Sequence, residues 1–152
     1  MAALVIKYPI NMGKMDYKSK LASLADEFNL QVIYAFGSRA KEIFNTVHQK
    51  KHLPPASKSD LDIGIKPEKP LSVQEKVKIA IFFEDLFDVP KADVIEISEA
   101  PITLALEIVQ GELLYARDEN YEAEYQLYIM SRAADLMPYE RQKHKMIVGI
   151  EK

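Results

Sequence analysis

The stretch Ser59-Asp60-Leu61-Asp62-Ile63-Gly64-Ile65 decides the fold, because it reads as a strand with two chemically opposite faces. Side chains alternate along a strand with period two. Leu61, Ile63 and Ile65 therefore point toward a helix-covered core, and Asp60, Asp62 and Gly64 point the other way. Carboxylates two residues apart on a strand stand about 6–7 Å from each other. Like charges that close favour a cation between them, and hard divalent ions such as Mg²⁺ take oxygen ligands. Standing alone, Asp-x-Asp has other uses. It caps turns, and it occurs in glycosyltransferases that bind a sugar nucleotide through a metal.

Working outward, residues 31–36 form a run of β-formers that stops at Gly37, and residues 38–44 read as a short helix. Phe36-Gly37-Ser38-Arg39 thus joins a strand to a helix start. Glycine lets a backbone approach a ligand closely, and free N–H groups at a helix N-terminus attract anions. The Ser38 hydroxyl adds a donor and Arg39 can offset phosphate charge, although a Gly-Ser turn with serine as cap has the same letters. The Gly-Lys-Ser/Thr ending of a P-loop is missing. Downstream, residues 92–97 are a third strand that carries Asp93. A third carboxylate on a neighbouring strand would complete a two-metal site. Glu96, three residues on, is the competing choice and faces the opposite side from Asp93.

The other elements follow from periodicity and caps. Residues 15–28 read as a helix, with Leu21, Leu24, Ala25 and Phe28 at helical spacing. Residues 45–58 read as a loop. Residues 72–87 read as a helix opened by a Ser72/Glu75 capping box, with Val73, Val77, Ala80, Ile81, Phe83 and Phe87 as its apolar face. Pro101 and Gly111 bracket another helix. Residues 113–116 are a fourth strand and residues 120–137 a last helix, which the tail either continues or frays from. The alternation predicts an α/β (α+β) fold, a mixed four-stranded sheet with helices mainly on one face. The expected organisation is a single domain over 1–152, with a core of about 31–118 and a C-terminal helix and tail over 119–152.

Composition narrows the classes. The 152 residues contain no cysteine, which removes a disulfide scaffold, a thiolate zinc site and a cysteine nucleophile. A cytoplasmic location is the expectation. Met1 to Ile10 lacks a basic start and a cleavage site, and no apolar run has membrane-spanning length. The net charge of -3 gives no general attraction to nucleic acid, so direct nucleic-acid binding is not expected.

Strand, Gly-Ser, short helix, Asp-x-Asp on a second strand and Asp on a third together resemble the polymerase-beta-like nucleotidyltransferase superfamily. Ala35-Phe36-Gly37-Ser38-Arg39-Ala40 with Ser59-Asp60-Leu61-Asp62 looks like its smallest branch, the minimal nucleotidyltransferase (MNT) domains. The resemblance runs from about residue 31 to 118, including Gly111-Glu112-Leu113-Leu114-Tyr115. It implies that Gly37 and Ser38, with Arg39 beside them, bind the nucleotide's phosphates. It also implies that Asp60 and Asp62 bind two Mg²⁺ ions and that Asp93 binds one of them near the attacking hydroxyl. Many MNT proteins are antitoxins paired with a HEPN-domain ribonuclease toxin, and members of that group transfer AMP from ATP to a toxin tyrosine. The implied function is that of an MNT antitoxin, with ATP as donor and a HEPN toxin as partner. The alternatives are an antitoxin that acts by binding alone, or transfer to a small molecule. Nothing in the sequence speaks against oligomers. One departure is the twenty-one residues between Ser38 and Asp60, longer than is usual for the family. Loop insertions cost little entropy.

Other signals are weaker. His48 and His52 are four apart but lack a third ligand, and Lys50, Lys51 and Lys58 make the same segment basic. Tyr121, Tyr125 and Tyr128 recur at helical spacing as a packing stripe or partner surface. Arg141, Lys143, His144 and Lys145 make a basic tail. The Arg-and-His pattern of HEPN nucleases is missing, which argues against the toxin half of such a pair.

Overall fold

In a computed structural model, residues 16–49 and 60–148 are described. The elements are α1 (Tyr17–Phe28), β1 (Leu30–Phe36), α2 (Ala40–Gln49), β2 (Leu61–Pro67), α3 (Val73–Phe87), β3 (Ala92–Glu96), a 3₁₀ turn (Ile97–Glu99), α4 (Ile102–Val109), β4 (Glu112–Ala116) and α5 (Glu119–Val148). The sheet order is β3-β2-β1-β4. β1 runs antiparallel to both of its neighbours, and β2 and β3 are parallel, so the sheet is mixed as expected.

Period-two alternation builds a core on each face. Ile33 and Ala35 of β1 join Leu61, Ile63 and Ile65 of β2 beneath α1, α2 and α3. Val32, Tyr34 and Phe36 face the other way, onto α4 and α5. Among the described residues, three helices therefore cover one face and two the other. The second layer reaches the reverse side of β2, where a Cβ at Gly64 would run into the Ile108 side chain. Tyr34 Oη, buried in this layer, donates a hydrogen bond to a Glu122 carboxylate oxygen and ties α5 to the sheet.

Helix ends follow local chemistry. Ser72 accepts from Glu75 N at 3.1 Å, and Glu75 Oε1 accepts from Ser72 N at 2.9 Å, the reciprocal capping box. Ser72→Ala is expected to cost about 1 kcal/mol, read as a lower midpoint in urea with unchanged slope. Asn29 and Asp88 close α1 and α3 in the left-handed conformation.

Two readings are corrected. Residues 45–49 are helical rather than loop, because Thr46 and Val47 are buried and extend the apolar face of α2. His48 therefore lies on this helix, against Phe44, and His52, Lys50, Lys51 and Lys58 fall outside the described residues. The buried face of α3 is Ile79, Phe83 and Phe87, whereas Val73, Val77 and Ile81 are exposed. Both stripes have helical spacing. The aromatic one packs inward, since Phe83 and Phe87 bury more area, and Tyr17 of α1 stacks on Phe87 at 5.4 Å. The last helix continues through Pro138 to Val148.

Candidate active site

The C-terminal end of β1 and the N-terminal ends of β2, β3 and β4 meet at one end of the sheet. Cα pairing places Phe36 opposite Asp62, and Asp62 opposite Asp93. Asp62 and Asp93 are thus neighbours on parallel strands, with Asp60 two residues before Asp62. The fold brings all three candidate aspartates to this end. Glu96 is kept away: it is buried near the opposite end, where Oε1 accepts from Leu71 N at 3.3 Å and lies 3.6 Å from Lys76 Nζ.

Electrostatics single out Asp62. Partial burial raises its pKa above the ordinary carboxylate range, and the nearby charges of Asp93, Asp60 and Glu107 push it further in the same direction. A carboxylate held among other carboxylates is a group short of positive charge. Some is supplied by Lys91, whose Nζ stands 3.6 Å from Asp93 Oδ1 and 3.9 Å from Asp60 Oδ2. This lysine side chain is 62% exposed. A half-exposed ion pair of this kind is held weakly.

Glu107 and Lys91 escaped the sequence reading. Glu107 had a signal, as the one charged residue in Ile102–Val109, but its closeness to Asp62 depends on how α4 crosses the sheet. Lys91 had none beyond preceding a strand.

Gly37 sits directly against Asp62. Its φ is +79°, and a Cβ there would stand 2.5 Å from Asp62 Oδ2. The turn therefore needs glycine twice, for the left-handed backbone and for the space the carboxylate fills. Ser38 is exposed beside it, and α2 starts at Ala40 with its N-terminus at this end. Arg39, the candidate expected beside a phosphate, lies largely inside the fold. It is 3% exposed, and its Nε donates to Glu42 Oε1 at 2.9 Å, so it braces the turn from inside.

All the donors here are carboxylate oxygens, which suits a hard divalent ion. Among the described residues, however, no three such side chains converge tightly enough to hold one as they stand. Asp60 and Asp93 lean toward Lys91 instead, and both are about two-fifths exposed, with room to turn.

The family model described as polymerase beta, nucleotidyltransferase, matches residues 19–120. The chain belongs to that family. Among solved structures, this nucleotidyltransferase is similar to a chain of a mutant of the toxin–antitoxin pair MntA–HpeT, with a TM-score of 0.65 at 17% identity, over 86% of this chain and 98% of the other. A chain of a toxin–antitoxin structure with AMP-PNP gives 0.63 at 18% identity, covering 86% and 98%. A chain of the tri-AMPylated Shewanella oneidensis HEPN toxin in complex with MNT antitoxin gives 0.62 at 18%, covering 87% and 96%. At these identities the likeness is one of fold. No curated protein matches this nucleotidyltransferase. Among its described residues, no helix is long and apolar enough to cross a membrane.

Proposed function

We propose that this nucleotidyltransferase is the antitoxin of a toxin–antitoxin pair and transfers AMP from ATP to a tyrosine of a HEPN-domain ribonuclease toxin, silencing it. The observation that carries the reading is Asp62, paired in register with Asp93 and covered by Gly37. The described neighbours of similar fold add support, since one comes from a complex with AMP-PNP and another from a complex with an AMPylated toxin.

In this reading the phenolic oxygen of the acceptor attacks the α-phosphorus of ATP. The bond from that phosphorus to the bridging oxygen breaks, and pyrophosphate leaves. Asp93, beside Asp62 at the start of β3, takes the phenolic proton and passes it to water. Asp60 and Asp62 would hold Mg²⁺ together with the phosphates, with Asp93 as a third ligand. When bound, Mg²⁺ neutralises the negative charge that gathers on the phosphates. Gly37 and Ser38 present backbone N–H groups to the outer phosphates, helped by the N-terminus of α2. Arg39 keeps this turn in place from beneath.

The test uses the product of the gene next to this one, the expected HEPN partner, and ATP labelled at either the α- or the γ-phosphate. The expected result is α-label on a toxin tyrosine, no γ-label, and many toxin molecules silenced per molecule of this protein. Neutralisation only at a one-to-one ratio, with or without ATP, would replace this reading by simple binding.

A further inference from the structure

At the end of the sheet away from the aspartates lies a cavity of about 410 Å³. Its walls come from the end of β2, the 3₁₀ turn, the start of α4 and the middle of α5. Ile97, Ala105 and Ile129 give it an apolar floor, and its polar groups include Lys66 and Arg132. Its volume falls in the range of small-molecule sites.

The charge is one-sided. Lys66 Nζ donates to the Pro67 carbonyl at 2.9 Å and to Gln31 Oε1 at 3.3 Å, both uncharged. Neither Lys66 nor Arg132 forms an ion pair among the described residues. Glu96 is close enough to Tyr125 to influence it, but this carboxylate already meets Lys76 and Leu71 N. Each cation instead lies over a tyrosine ring: Lys66 Nζ is 5.9 Å from the centroid of Tyr125, and the Arg132 guanidinium 5.8 Å from that of Tyr128. The two rings are 6.2 Å apart and tilted by 28°. Tyr128 is 53% exposed, so part of its ring is in contact with solvent at the rim.

We infer that this cavity is a second binding site of the protein, taking a small aromatic anion of the nucleoside monophosphate class. Lys66 and Arg132 meet the phosphate, and the base lies along the Tyr125–Tyr128 edge. A free phosphate uses only the cations and leaves most of the volume empty. A ring-bearing phosphate fills it and adds edge-on aromatic contact with the exposed part of Tyr128. The site is remote from Asp60, Asp62 and Asp93 and does not depend on the transfer reaction.

AMP is the probe, titrated by calorimetry at fixed salt into protein carrying Asp60→Ala and Asp62→Ala, so that the site at the aspartates is disabled. The expected result is saturable binding of one AMP. Arg132→Ala, on the exposed side of α5, and Tyr128→Ala should each weaken it about tenfold or more, with unchanged melting temperature. Inorganic phosphate and adenosine should each bind at least about tenfold more weakly than AMP. No saturable binding would overturn the inference, as would AMP binding that both substitutions leave intact. Equal affinity for phosphate and AMP would also overturn it, by reducing the site to a simple anion hole. Neither result bears on toxin labelling, so this site and the proposed activity stand or fall separately.

Discussion

Asp62→Asn is expected to lower AMP transfer about a thousandfold or more, because losing several kcal/mol of charge stabilisation in the transition state multiplies the rate loss tenfold for every 1.4 kcal/mol. The same substitution is expected to raise thermal stability in the absence of divalent ions. The sign follows from the raised pKa of Asp62, caused by burial and then by Asp93, Asp60 and Glu107. A carboxyl whose folded-state pKa is raised binds its proton more tightly folded than unfolded, so its ionised form opposes folding. That cost is absent below the ordinary aspartate pKa, develops as pH rises through the raised one, and is full above it. Asparagine never ionises. The melting temperature of the variant should therefore exceed the wild type at neutral pH, and the gap should close in acid. Mg²⁺ should stabilise the wild type and leave the variant nearly unmoved, since a ligand stabilises only the state that binds it. Lower melting of the variant at neutral pH, with Mg²⁺ absent, would show that Asp62 is a structural carboxylate.

The parts of this site legible in the sequence are those fixed by one strand or one turn. Alternation within β2 was enough to send Leu61, Ile63 and Ile65 to the core and Asp60 and Asp62 to the other face. The same rule separated Asp93 from Glu96, and the two do lie in different surroundings. What could not be read depends on contacts between elements distant in sequence. Glu107 becomes a neighbour of Asp62 only because α4 crosses the reverse face of β2, and Gly64 is the residue that lets Ile108 come so close. Arg39 lies buried, with its Nε paired to Glu42 one helical turn on. A motif letter carries no information about that placement. The exposed Val73, Val77 and Ile81 make the same point for packing. Periodicity shows that α3 has apolar stripes, and only the rings of Tyr17, Phe83 and Phe87 determine which of them is buried.

Gly37→Ala tests whether the turn acts through the carboxylate it covers. Alanine at φ +79° costs about 1–2 kcal/mol in backbone strain, a modest loss of stability. The functional loss should be larger. The new Cβ would stand 2.5 Å from Asp62 Oδ2, closer than real contacts allow, so the carboxylate or the turn must shift. A displacement of about 1 Å can cost about a hundredfold in rate, and that is the expected fall in AMP transfer, with the protein still folded at assay temperature. The turn and the carboxylate are one device if this is right, so their effects should not add. In an Asp62→Asn background, Gly37→Ala should reduce the residual transfer far less than it does in the wild type, while its stability cost persists. A full hundredfold loss in both backgrounds would mean that Gly37 serves the phosphates alone, through its own backbone, with Asp62 merely its neighbour.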